Sequence, residues 1–333
     1  RFSKHCHGNI IYASRIYPKW DVSIWQLLEV YFMKQQSNFF NDINVEYDYR
    51  KEILENPFRT QLLKWIGNKQ RFADEIISYF PKSFGTYFEP FLGSGGVLAN
   101  LAPANAIASD VYTPLIEIFK MLKHEPEKLK IWYKNRWDLL ENGNKREIYE
   151  QIKASYNKNP NAADLLFISR SCYGGVIRFR KNDGYLSTPV GPHNPISSKS
   201  FANRVDKWHK RVQGTAFLNV DYKEAMGMAG ENDLIYCDPP YSHSQAILYG
   251  AQSFELEDLF GKIKECKDRG AYVALSIDGT KKSGNKICDL PIPEGLFERE
   301  MYVNVGKSML KRLQMEGKKL EGENVKDRLL LTY

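Results

Sequence analysis

Three features of the sequence predict an α/β fold built on a parallel, doubly wound sheet. An apolar pair, Tyr87-Phe88, runs into a glycine-rich turn, Glu89 to Gly96, and then into the helical start Val97, Leu98 and Leu101. A second apolar run, Ala106 to Ser109, ends in Asp110 and is followed by Leu115, Ile116, Phe119, Met121 and Leu122 at helical spacing. After a long interruption the alternation resumes, with strands at 216–221, 234–238 and 271–278. Short, fully apolar runs that alternate with helical repeats are expected of strands buried on both faces of a parallel sheet.

The other elements can be placed in chain order. Phe72, Ile76, Ile77 and Phe80 recur at helical spacing, and Pro81 closes that helix. Residues 51–124 then form the first part of the core. From 125 to 215 the character changes to a tryptophan-rich helical stretch and a Gly, Arg and Asn-rich segment from Cys172 to Pro195. The latter is too rich in turn residues for a core strand, so 125–215 reads as a mainly helical insert. Residues 216–333 complete the core, with Phe297 to Val305 and Arg328 to Tyr333 as an antiparallel edge pair. Residues 1–50 are aromatic without clean periodicity and read as an amino-terminal extension, of which 1–32 lie outside every recognisable element.

Composition narrows the function classes. A chain of 333 residues with 43 % hydrophobic residues buries a substantial core. The formal net charge of +7 suits a polyanionic partner without requiring one. The apolar runs are too short to span a bilayer, and the expected location is the cytoplasm. Cys6, Cys172, Cys237, Cys266 and Cys288 lack the close pairing of a zinc site, so no metal is expected and the thiols read as reduced.

The chemistry concentrates at two strand ends. Phe91-Leu92-Gly93-Ser94-Gly95 lets backbone approach a ligand closely, and no Gly-Lys-Ser/Thr comes after it to bind phosphate. Asp110, closing the next strand, is placed to accept both hydroxyls of a ribose. The sharpest signal is Asp238-Pro239-Pro240-Tyr241 directly after an apolar strand. Two prolines remove two N–H donors and stiffen the loop. Asp238 and the Pro239 carbonyl then offer acceptors to both hydrogens of an amine, and Tyr241 offers a ring on which a base stacks. An isolated tetrapeptide of this kind is also compatible with a rigid turn carrying a surface Asp; the glycine turn and the acidic strand end that precede it weigh against that alternative.

Taken together these residues resemble the Dam-type DNA adenine-N6 methyltransferases over about Phe58 to Tyr333. Lys64-Trp65-Ile66-Gly67-Asn68-Lys69 is similar to that family's amino-terminal cofactor element, Phe91 to Gly95 to its glycine turn, and Asp238 to Tyr241 to its catalytic loop. The resemblance implies a Rossmann-like core binding S-adenosyl-L-methionine, with Trp65, Lys69, Phe91, Gly93, Gly95, Asp110, Asp221, Tyr222 and Asp238 at the cofactor. It implies that the insert recognises double-stranded DNA, where Arg170, Tyr173, Arg178, Arg180, Lys181 and Asn182 supply guanidinium, amide and aromatic groups suited to phosphates and base edges. The insert departs from the family pattern around Gly184, which is followed by Tyr185-Leu186. A cognate restriction endonuclease is a compatible partner. Two other readings share the fold: a methyltransferase acting on RNA adenine or a protein amide, and a catalytically silent DNA-binding protein.

Overall fold

The computed structural model describes residues 55–141, 143–240, 254–278, 280–281, 286–287, 291–306 and 325–333. The expectations placed on residues 1–50, Cys6, Tyr241 and Cys288 lie outside the described residues. Seven strands form one sheet: β1 (Tyr87–Glu89), β2 (Ala106–Ser109), β3 (Thr215–Leu218), β4 (Leu234–Cys237), β5 (Tyr272–Asp278), β6 (Arg299–Gly306) and β7 (Val325–Leu331). Their spatial order is 3-2-1-4-5-7-6. Strands β1 to β5 run parallel, and β7 runs antiparallel to both β5 and β6. The expected antiparallel pair is present, with β7 inserted between β5 and the rim strand β6.

Successive residues of a strand point to opposite faces, and both faces of this sheet are covered. Tyr87, Leu234, Tyr236 and Ala274 belong to one apolar cluster, and Phe88, Ile235, Cys237 and Leu275 to the other. This two-sided burial is why the strands read as unbroken apolar runs. Helices α1 (Ala73–Ser78), α2 (Gly96–Leu101) and α3 (Thr113–His124) pack on the first face; α8 (Tyr222–Gly227) and α9 (Leu256–Asp268) pack on the second. Between β2 and β3 the chain also builds α4 (Pro126–Trp137), α5 (Lys145–Lys158), α6 (Ala162–Ser171) and α7 (Ser198–Arg211). Asn144 and Asn161 cap α5 and α6, their side chains accepting from Arg146 N–H and Asp164 N–H. Leu129, Tyr133, Tyr149 and Phe167 lie in the same apolar cluster as Tyr87, so the helical stretch is continuous with the core of the sheet.

The strand expected to reach Asp221 stops at Leu218, because Asp221 turns to cap α8 with its carboxylate on Lys223 N–H at 2.8 Å. Upstream, the backbone of 58–62 is held by side chains rather than by a neighbouring strand. Trp208 Nε1 donates to the Thr60 carbonyl at 2.6 Å, Arg204 to Gln61 at 2.8 Å, and Arg170 to Leu62 at 2.8 Å. These bonds anchor the segment that carries Trp65 and Lys69. Among the described residues no helix is long and apolar enough to cross a membrane.

Candidate active site

The strand order reverses between β1 and β4, and in such sheets the crevice at that switch point receives ligands. Tyr87 pairs with Leu234 and Phe88 with Ile235. The loops that start at Pro90 and Asp238 therefore leave the sheet side by side. Between them opens a cleft lined by both loops.

The glycine turn forms one wall. Gly93 and Gly95 have φ of 48° and 64°, the left-handed region that glycine enters without steric cost. A Cβ on Gly96 would stand 2.8 Å from the backbone nitrogen of Gln70, so the turn also receives the Trp65–Lys69 segment at close range. Gly96→Ala is expected to cost roughly 1–3 kcal/mol of stability by forcing these backbones apart, which a shift in thermal midpoint measures. Asp110 is 6 % exposed and accepts Gly93 N–H on one oxygen at 3.2 Å and Tyr112 N–H on the other at 3.0 Å. Its carboxylate lines the cleft.

Aromatic rings from the glycine turn and from two further segments also line the cleft. Phe91 stacks on Tyr222 at 5.0 Å with 26° between the planes, and Phe254 meets both rings edge-on. Burial pushes the Tyr222 hydroxyl up to about 12, so it stays protonated. Asp221 lines the cleft while also capping α8.

At the floor, the Lys69 ammonium donates to both oxygens of Asp238, at 2.7 and 2.9 Å. Lys69, expected as a cofactor contact, thus also forms the ion pair of the catalytic-loop acid. Glu89 joins them, a residue to which the sequence assigned no role. It is 3 % exposed and accepts the Tyr87 hydroxyl on Oε2 at 2.7 Å. Burial, reinforced by the nearby Asp238 charge, lifts its carboxyl to about 8 against the hydrogen bond from Tyr87, which acts in the other direction. Its one sequence signal was a charge ending an otherwise apolar strand.

Trp65, Lys69, Phe91, Gly93, Asp110, Asp221, Tyr222, Asp238, Pro239 and Pro240 all line this one cleft, whereas Gly95 packs toward Leu92 and Phe119. The model of the D12 class N6 adenine-specific DNA methyltransferases matches residues 65–301. The chain belongs to that family. It is 28 % identical over 230 residues to a DNA adenine methylase of Vibrio cholerae, covering 64 % of this chain and 79 % of that protein. It is 27 % identical over 205 residues to a DNA adenine methylase of Escherichia coli, covering 59 % and 71 %. A DNA N-6-adenine-methyltransferase of Escherichia phage P1 is 28 % identical over 240 residues, covering 67 % of this chain and 30 % of that one. Among solved structures, an rRNA methyltransferase of Streptomyces viridochromogenes aligns at a TM-score of 0.37 and 11 % identity, over 84 % of this chain and 91 % of the other. The family is that of enzymes that methylate adenine in DNA.

For the DNA side of the methyltransferase, one expectation is corrected. Arg170 is 4 % exposed, with its guanidinium on the carbonyls of Gln61 and Leu62 at 3.3 and 2.8 Å, and burial lowers its ordinary value to about 10. It lies in the fully buried run of α6, where it serves the backbone and is closed to DNA. Tyr173, Arg178, Arg180, Lys181 and Asn182 are all exposed at the surface. The last four lie on a small antiparallel excursion, bridged at Cys172 with Val190 and at Phe179 with Leu186. At its tip Arg180 pairs with Asp183 at 2.6 Å and lies over the Tyr185 ring at 4.3 Å.

Proposed function

We propose that this enzyme takes methyl from S-adenosyl-L-methionine and places it on N6 of an adenine rotated out of duplex DNA at a specific site. The observation that carries the reading is the convergence of Asp238, Asp110 and the Phe91–Tyr222 stack on one cleft. Its donor set fits the cofactor: Asp110 suits a ribose diol, the stacked rings suit a flat heterocycle, and the acid Glu89 suits a cation. When bound, that group supplies an activated methyl carried on a positively charged sulfur.

The protein's own residues supply alignment and acceptors. Asp238 and the Pro239 carbonyl take the hydrogens of the adenine amine, which turns its lone pair out of the ring and toward the methyl. Most of the acceleration then comes from holding nitrogen and methyl in line. The proton released from the amine passes to Asp238 or to solvent. The surface residues Arg178, Arg180, Lys181 and Asn182 and the nearby Tyr173 support the helical stretch as the DNA-recognising part, acting in the cytoplasm of a bacterial or phage-infected cell, with a restriction endonuclease of the same site as a compatible companion.

Sequencing the DNA of an expressing host tests the reading. N6-methyladenine in one recurring context is expected; methylated RNA with unmodified DNA overturns it. The tip makes a second, independent prediction. Arg180→Ala should weaken DNA binding and lower its salt slope by about one, whereas Asp183→Ala, which frees the guanidinium, should strengthen binding. Titrations at several salt concentrations check both signs.

A further inference from the structure

We propose that Asp327 is a positioning residue for methyl transfer, drawing the Lys69 ammonium so that Asp238 can serve the target amine. The inference rests on the reading of Asp238 as acceptor of that amine. Besides its two contacts with Asp238, the Lys69 ammonium stands 3.6 Å from Oδ2 of Asp327. The sheet creates this arrangement. Asp238 comes directly after Cys237, which is in register with Leu275 of β5, and Asp327 of β7 is in register with Asp278 on the other side of β5. The two acids thus flank the carboxyl end of β5, and Lys69, from the segment before α1, reaches between them. Lys69 and Asp327 are 7 % and 8 % exposed, so this is a little-hydrated space in which charges act strongly.

A carboxylate gripped on both oxygens by an ammonium is a poor acceptor for a third group, because its charge is already taken up. Asp238 has to present that charge to the adenine amine. A buried ammonium moves off one carboxylate only if another receives it, since an unpaired buried cation is costly. Among the described residues, Asp327 is a second carboxylate within ion-pair reach of that ammonium. Displaced toward Asp327, Lys69 stays paired while an Asp238 oxygen turns to the cleft; with Asp327 neutralised, Lys69 remains on Asp238 and the amine meets a capped acceptor.

The test is single-turnover methyl transfer at saturating cofactor and DNA, with cofactor Kd and thermal midpoint measured for each variant. Asp327→Asn should slow transfer about tenfold or more while cofactor Kd changes by no more than about threefold, and Asp327→Glu, which keeps the charge, should recover most of the rate. In a Lys69→Met background the same Asp327→Asn change should alter the rate by less than about twofold, because the charge it acts through is gone. An undiminished rate in Asp327→Asn, equal losses in both backgrounds, or a loss confined to cofactor Kd overturns the proposal. Asp238→Asn, run in parallel, separates the two layers. If it transfers at the wild-type rate, the reading of Asp238 itself fails; if it is slow while Asp327→Asn is unaffected, only the role of Asp327 fails.

Discussion

Asp238→Ala is expected to lower kcat by about 10²–10³-fold, the usual consequence of deleting one preorganised partner of the reacting group in a water-poor site. The fold should survive, because the Lys69 ammonium left behind still has the Asp327 carboxylate at 3.6 Å. Cofactor binding should change little, since Asp110 and the Phe91–Tyr222 stack are untouched. A loss confined to kcat identifies an interaction made in the transition state, whereas a rise in KM with unchanged kcat identifies uniform binding. Transfer of labelled methyl to a duplex carrying the target site, with cofactor affinity by calorimetry, distinguishes them. Turnover within tenfold of wild type would remove Asp238 from the mechanism.

Much of this site was legible because its parts sit at strand ends, and the strands announce themselves. Each is a short apolar run buried on two faces, so Phe88, Ile107 and Ile235 stand out without any help from tertiary structure. In a parallel sheet the loop after each run lies at the carboxyl edge by construction, which is how Gly93, Asp110 and Asp238 could be assigned together. The less legible residues depend on contacts that no local pattern encodes. Arg170 looked like a base reader because it is an arginine beside a basic segment, yet it lies on α6 between Ser169 and Ser171, both buried, and serves carbonyls more than a hundred positions earlier in the chain. Asp327 belongs to the last strand and meets Lys69 only because β7 pairs with β5. Glu89 was in view as part of the glycine turn, but its isolation depends on Tyr87 and on the neighbouring strand β4.

That isolation gives Glu89 a strong expected signature in pH. With its carboxyl near 8 against an ordinary 4.5, the ligand-free enzyme holds Glu89 mostly neutral at pH 7. The folded state therefore binds this proton more tightly than the unfolded one. Between about pH 4.5 and 8 the folded protein keeps a proton that the unfolded chain has lost, so this group's contribution is fully present below 4.5 and disappears as pH rises to 8, a change of roughly 3–5 kcal/mol. A cationic ligand in the cleft reverses the balance, because a positive charge facing Glu89 favours its ionised form. Binding should therefore expel a proton, and affinity for S-adenosyl-L-methionine should rise with pH up to about 8, approaching tenfold per pH unit, and then level off. Calorimetry in two buffers of different ionisation enthalpy counts the proton directly. Glu89→Gln keeps an acceptor for the Tyr87 hydroxyl but cannot ionise, so it should bind the cofactor more weakly above pH 7, with no slope and no proton release. A wild-type affinity that is flat from pH 6 to 8, or a slope that persists in Glu89→Gln, would show that the cationic part of the cofactor is bound by other groups.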